Sequence, residues 1–248
     1  MHPIERLRWI ARDRDEAPTT LAAEAAWTIS DLVLEDPPAV VIACRRLVEF
    51  HPTVGPLWWV AATVLVAANP EQAARSAVDE LLSDPTAEML AAALGEPGAS
   101  DGTIVIGCPA ETVFDALSRR PSSVVRVAGS SPGLRAEVRK LAAVVSKSSG
   151  WDFDDADQAV DGATVVIVEA RAASSRGVLI SSAVAPLVRA AGDASVPLWA
   201  VAGVGRVLHD QLLGEVLRRS ADRVELVEPN AIAAVIGPSG RENACSGP

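Results

Sequence analysis

Tyrosine is absent from this chain of 248 residues, and phenylalanine and tryptophan together make up only 4% of it. With a hydrophobic share of 49%, the core must be built mainly from Ala, Val, Leu and Ile, which favours close helix and strand packing over ring stacking. Cysteine and histidine are scarce as well. Cys44, Cys108 and Cys245 are odd in number, far apart and in no metal-ligand spacing, which reads as reduced thiols in a cytoplasmic protein. His2, His51 and His209 stand equally apart, so neither a zinc site nor a serine triad is indicated.

Other absences narrow the field. There is no glycine fingerprint of the P-loop or dinucleotide type, no GxSxG elbow and no HExxH pair, so neither a metal nor a cofactor is expected. The acidic run from Asp152 to Asp157 lacks the turn glycine and later glutamate of a calcium loop and reads as a solvated turn. MHPIERLRW has no apolar core of a signal peptide. The most apolar run, GPLWWVAATVLVAAN (55–69), falls short of the ~20 residues that cross a bilayer and reads as a buried helix. No membrane partner is therefore expected. Positive charge is also in deficit: 22 Lys plus Arg face 32 Asp plus Glu, a formal charge of −10. Such a surface repels a phosphate backbone, so nucleic acid is not an expected partner, while a local basic pocket for a small anion is compatible with it.

What is present falls into two textures. Up to GEPGASDG (95–102) the chain reads as helices. Ile4, Leu7, Ile10 and Ala11 make a short amphipathic turn, and Thr19 or Thr20 could cap a helix over LAAEAAWTISDLVL. Asp36-Pro37-Pro38 breaks it before AVVIACRRLVEFH, and His51-Pro52 and Asn69-Pro70 bracket the tryptophan-containing helix. EQAARSAVDELLSD and TAEMLAAAL follow. No repeat of solenoid length is visible. Beyond residue 102, β-branched runs alternate with helical stretches, from TIVIG and ETVFDALSRR to GVLISSAVAPLVRAAG and VPLWAVAG, which argues for a parallel sheet covered on both faces. The stretch 144–163 has room for a short strand, an acidic loop and one helical turn. The expected organisation is a helical N-terminal domain over 1–98, a Rossmann-like doubly wound α/β domain over 99–240, and a frayed tail over 241–248.

In an open parallel sheet, ligands collect outside the carboxyl ends of the strands, where helix N-termini present free N–H groups. Four segments are candidates for that edge: Gly107-Cys108-Pro109-Ala110-Glu111-Thr112, Gly129-Ser130-Ser131-Pro132-Gly133, Glu169-Ala170-Arg171 with Ser174-Ser175-Arg176-Gly177, and Gly203-Val204-Gly205-Arg206. Their hydroxyl, guanidinium and small side chains suit a phosphate, and Ser174-Ser175-Arg176-Gly177 is the strongest, placed before a helix expected from about Val178. The same residues also serve simply to cap helices and turn chains. Cys108 has two readings too. At a helix N-terminus its thiol would have a lowered pKa and could act as a thiolate, or it is a small buried packing residue.

The order of these pieces carries a resemblance. The helical first third, then DGTIVIGCPAETVFDAL, VVIVEARAASSRGVLISSAVAPLVRAA and VPLWAVAG resemble the translation initiation factor 2B α/β/δ-subunit family, whose enzymatic relatives are methylthioribose-1-phosphate isomerase and ribose-1,5-bisphosphate isomerase. Asp13-Arg14 followed by Ala17 and Leu21 is similar to the family's D-R-x-x-G-A-x-x-L stretch, and VELVEPNAIAAVIGPSG resembles its closing segment, in which a proline-led helix runs into a strand and a terminal glycine. The resemblance implies a helical N-terminal domain, a Rossmann-like C-terminal domain of the sugar-phosphate isomerase type, and a homodimer formed through the C-terminal domains. It also implies that Cys108 matches the isomerases' crevice cysteine, while Arg171 takes the place of their aspartate. The family's N-K pair would fall near Ile180 and Ser181. Its glutamate and arginine after the second strand appear as Ala128 and Ser131, and the arginine of the R-G-A segment is missing before Ala17.

Aldose–ketose isomerisation needs a group that shuttles protons between adjacent carbons, and an arginine cannot replace that carboxylate. The expectation is a non-catalytic relative that binds a phosphorylated sugar or nucleotide, or regulates. Its alternatives are a divergent sugar-phosphate isomerase using Cys108 with Glu111 or Glu169, and a structural subunit of an oligomer. The Ala- and Arg-rich, Lys-poor N-terminal third suggests a bacterial source.

Overall fold

The computed structural model describes residues 2–96, 102–107, 111–119, 124–128, 151–220 and 222–243. Contacts divide them into two compact units, each assembled from separated stretches of chain. The first holds 1–84, 171–174 and 204–221, and the second holds 85–170, 175–203 and 222–248.

The first unit is helical. It contains α1 (Pro3–Ile10), α2 (Pro18–Glu35), α3 (Ala39–Phe50), α4 (Gly55–Val66) and α5 (Pro70–Leu82). Helix α2 is the centre, packed on each of the other four. Its contact stripe repeats at helical spacing through Ala22, Ala25, Ala26 and Ile29, all fully buried, and Ala74, Ala77 and Leu81 of α5 face inward in the same way. Small side chains on both helices permit close axial approach, so alanine does the work that ring packing does elsewhere. Helix α2 is not capped by Thr19 or Thr20, as its sequence suggests. Ala17 is the N-cap and Pro18 opens the first turn, because proline's fixed φ and missing N–H suit that position. Helix α4 is buried along Leu57, Trp58, Val60 and Val64, but its end is not: Val66 is 84% exposed.

One buried polar contact ties the start of this unit together. The His51 ring, 6% exposed, lies 2.8 Å from the carbonyl of Ile10 through Nε2, so Nε2–H donates there. Nδ1 then accepts from Arg14, whose Nη1 lies 3.2 Å away. Burial is the main cause that lowers the His51 pKa, with the Arg14 charge adding to it, against the Ile10 bond and the Asp13 carboxylate. An imidazole with a lowered folded pKa takes up its proton in the unfolded chain first. Its titration therefore leaves stability untouched above about pH 6.5 and reduces it as the pH falls from there toward the folded value. We expect urea unfolding between pH 7.5 and 5 to show this loss, and His51→Gln, whose amide can still donate to Ile10, to show a shallower one. Parallel pH profiles for the two proteins would contradict the assignment.

The second unit is α/β. Its elements are α6 (Thr86–Ala93), β1 (Thr103–Ile106), α7 (Glu111–Ser118), β2 (Val124–Ala128), β3 (Trp151–Asp154), α8 (Ala156–Val160) and β4 (Ala163–Glu169). After β5 (Ala172–Ser174), which belongs to the first unit, come β6 (Gly177–Ser181), α9 (Ala185–Asp193) and β7 (Leu198–Val201). The first unit then takes α10 (Asp210–Ser220), and the second closes with β8 (Val224–Val227), β9 (Ala234–Gly237) and β10 (Gly240–Asn243).

Strands β3-β2-β1-β4-β7-β9 run parallel in that order, with β10 antiparallel on the outer edge of β9. This is the 3-2-1-4-5-6 order of the Rossmann sheet. In register across it, Ile104 faces Val125 and Val165, and Ile167 faces Trp199. These residues point to one face, which Leu90 and Leu94 near the end of α6 and Val113, Phe114 and Leu117 of α7 cover. Strands buried on both faces lose the polar alternation of half-exposed ones, which is why TIVI and ATVVIVE read as continuous apolar runs.

Three local expectations are corrected. The segment from Gly177 to Ser181 is strand β6, not the start of a helix. Its β-branched Val178 and Ile180 are buried and pair antiparallel with β8, and the helix waits for α9, where Pro186 sits in the first turn. The closing segment contains only the 3₁₀ turn Pro229–Ala231 between β8 and β9, not a proline-led helix. Residues 241–243, expected to fray, are held in β10 by pairing with β9. Arg241 also stacks 4.5 Å from the centre of the Trp199 ring.

Candidate functional site

In the second unit the chain leaves β1 for β2 and β3 on one side, then returns to β4 on the other. The carboxyl ends of β1 and β4 therefore flank the topological switch point, the usual position of a ligand crevice in such sheets. Gly107 follows β1 directly. A Cβ there would lie 2.5 Å from Val184 Cγ1 and 2.9 Å from Leu187 Cδ2, so only glycine lets the strand end pass this close to α9. Helix α7 begins at Glu111, which is exposed. Thr112, in its first turn, donates its hydroxyl to Oε1 of Glu169 at 3.3 Å, and Glu169 is the last residue of β4. One expected pair is thus brought together by main-chain topology alone. A threonine in the first helical turn and a carboxylate at the next strand's end meet because β1 and β4 are neighbours.

The other expected residues are placed differently. Ser175 and Arg176 form an exposed turn before β6. They precede a strand and so lack the helix N-terminus that made them the strongest phosphate candidate. Gly177 has φ +128°, and a Cβ there would lie 2.2 Å from the Val227 carbonyl oxygen. Its glycine is therefore required by the β6–β8 pairing. Cys108, Ser130 and Ser131 lie outside the described residues, as does Cys245. Of the three thiols the described one is Cys44, buried and free, with a pKa that burial pushes up to about 11.

Arg171, Ser174, Gly205 and Arg206 belong to the first unit. The Arg171 carbonyl accepts from Gly55 N–H at 3.1 Å, closing the N-terminus of α4. The Ala173 N–H donates to the Arg206 carbonyl at 2.7 Å and the Leu208 N–H to the Ala173 carbonyl at 2.8 Å, so β5 and the segment 206–208 form a short ladder. Gly205 has φ +76°, with its Cβ position 3.1 Å from Pro56 Cα, and Val204 N–H donates to Oδ2 of Asp84 at 2.8 Å. Arg206 is buried, 4% exposed. The expectation that Gly205 and Arg206 stand at a helix start is corrected: α10 begins only at Asp210. Sequence reading did not single out Asp84. Its signal was Ser83-Asp84-Pro85, a polar stop after α5 whose carboxylate serves a loop 120 positions later. Among the described residues no cluster of three His, Cys, Asp or Glu could hold a metal, and no helix is long and apolar enough to cross a membrane.

No family model matches the sequence, and no curated protein matches it. Solved structures do. The translation initiation factor eIF-2B of Pyrococcus horikoshii OT3 superposes with a TM-score of 0.74 at 15% identity, over 96% of this chain and 96% of that one. The eIF2B β subunit of Chaetomium thermophilum gives 0.70 at 17% identity, over 98% and 88%. The 5-methylthioribose 1-phosphate isomerase of Pyrococcus horikoshii OT3 gives 0.62 at 15% identity, over 97% and 84%. The chain has the eIF2B-subunit fold. It shares that fold with the isomerase, as the strand order and the helical first unit lead one to expect. At these identities the likeness concerns architecture: fold alone does not fix function, which is argued from the residues of the site.

Proposed function

We propose that this eIF2B-like chain is a non-catalytic relative of the sugar-phosphate isomerases, a cytoplasmic protein that binds a phosphorylated sugar or nucleotide, or regulates through it, and that acts as a homodimer formed by its α/β unit. What carries the reading is the sequence resemblance, which implies that Arg171 stands where the isomerases have an aspartate. Its carbonyl accepts from Gly55 N–H within the helical unit, and a guanidinium in place of that carboxylate cannot carry the proton that isomerisation moves. Gly107, Glu111, Thr112 and Glu169, gathered at the switch point of the α/β unit, are the residues we assign to the ligand there. One solved neighbour is a tetrameric eIF2B-β2-δ2 complex, which supports a role in assembly.

A second reading rests on Glu169. A carboxylate at the switch point with a hydroxyl donor beside it could serve an isomerase in which Cys108 takes part.

Thermal melts against pentose phosphates and nucleoside monophosphates separate the readings. A ligand at 100 times its Kd adds about 2.7 kcal/mol, which raises the Tm of a chain this size by about 5–10 °C. We expect such a shift with at least one phosphorylated ligand, its reduction in Arg171→Ala, and no aldose–ketose conversion by NMR. Turnover that disappears in Cys108→Ser would establish the isomerase instead, and a flat panel would remove the ligand role.

A further inference from the structure

A hollow of about 610 Å³ opens on the helical unit, walled by α1, α2 and α3. That volume lies within the 300–1,000 Å³ typical of small-molecule sites. Its wall is apolar, with Ile4, Leu7 and Leu47 inside and Ile42 and Phe50 about half exposed beside it. The polar exceptions are Arg8, Arg12, Arg46 and one carboxylate, Glu49. Three cations to one anion inverts the sign of a chain that carries −10 overall. Arg8 is engaged by Glu5 on its own helix. Arg12 and Arg46 form no ion pair among the described residues. Two uncommitted guanidiniums on an otherwise hydrocarbon surface match a ligand with an apolar body and one anionic end, because a guanidinium holds carboxylate or phosphate oxygens through paired N–H donors.

We propose that this hollow binds an amphipathic anion, a hydrocarbon chain with a carboxylate or phosphate head, its tail against Leu7, Ile42, Leu47 and Phe50 and its head on Arg12 and Arg46. The exposed apolar side chains account for the tail. Each methylene it buries strengthens binding by up to about fourfold, so affinity climbs along octanoate, decanoate and dodecanoate until the hollow is full. The arginines account for the head and set the preference for acids over alcohols. The site is independent of the switch-point site proposed above.

Isothermal titration of the full chain, below the micelle concentration of each probe, tests this with dodecanoate, dodecyl phosphate, dodecanol and dodecyltrimethylammonium. We expect both anions to bind, dodecanol to bind at least about tenfold more weakly, and the cation not to bind. The ratio of the two anions identifies the preferred head. The Arg12→Ala/Arg46→Ala double variant changes exposed side chains and should fold. It should bring dodecanoate down to the affinity of dodecanol, while Ile42→Glu weakens both. Dodecanol binding as tightly as dodecanoate, or an unchanged dodecanoate affinity in the double variant, overturns the proposal. So does dodecanoate giving no heat while phosphatidylglycerol vesicles bind, which would make the patch a membrane-contact surface instead.

Discussion

Phe114→Ala is expected to lower the free energy of unfolding by about 3–5 kcal/mol, the range for deleting a large buried aromatic side chain. Phe114 is one of only three phenylalanines in the chain and is 2% exposed. It lies with Val113 and Leu117 in the layer between α7 and the sheet face formed by Ile104, Val125, Ile167 and their neighbours. An aliphatic core has few large side chains able to move into the space that a ring vacates, so both the lost transfer energy and the cavity contribute. The same helix carries Thr112, so the loosened α7 should also weaken the Thr112–Glu169 contact at the switch point. Urea denaturation followed by circular dichroism measures the loss. Leu34→Ala, at a side chain 63% exposed, should stay within about 0.5 kcal/mol of wild type. A loss under about 1 kcal/mol for Phe114→Ala would mean that this layer is not packed as described.

Gly177→Val should be of similar size, at least about 3 kcal/mol, through a different cause. Residue 177 holds φ +128°, where side chains are strained by about 1–3 kcal/mol. A Cβ would also lie 2.2 Å from the carbonyl oxygen of Val227, which is main chain and cannot rotate aside. Relief requires β6 and β8 to part at the Val178–Val227 end of their pairing. The informative control is Gly192→Ala in α9. Nothing stands within 4 Å of its Cβ position, so relief of glycine's backbone entropy should leave that variant as stable as wild type or stabilise it by up to about 1 kcal/mol. Equal denaturation midpoints for Gly177→Val and wild type would show that the β6–β8 edge is not required.

Much of this architecture could be read before any coordinates. The proline punctuation at residues 37–38, 52 and 70 and the helical spacing of Ile4, Leu7, Ile10 and Ala11 mark the helices, and the β-branched runs mark the parallel strands. Gly177–Ser181 was misread because a short apolar run fits a buried strand and a buried helix equally well. Only the pairing with β8, 49 positions away in Val178–Val227, decides between them. The structure brings Thr112 and Glu169 of the candidate site into contact because β1 and β4 are neighbouring strands. The site was not legible at Gly205 and Arg206, whose environment comes from Pro56, Trp59 and Ala173, residues with no sequence signal linking them to that loop.

The chain passes between its two units at 84/85, 170/171, 174/175, 203/204 and 221/222. Neither unit is therefore a severable fragment. Cutting after residue 84 removes the Arg171 carbonyl that receives Gly55 N–H and the Val204 N–H that answers Asp84. During synthesis on the ribosome, the first helices emerge long before these partners exist. Folding of the first unit thus cannot be completed until α10, which ends at Ser220, has left the exit tunnel.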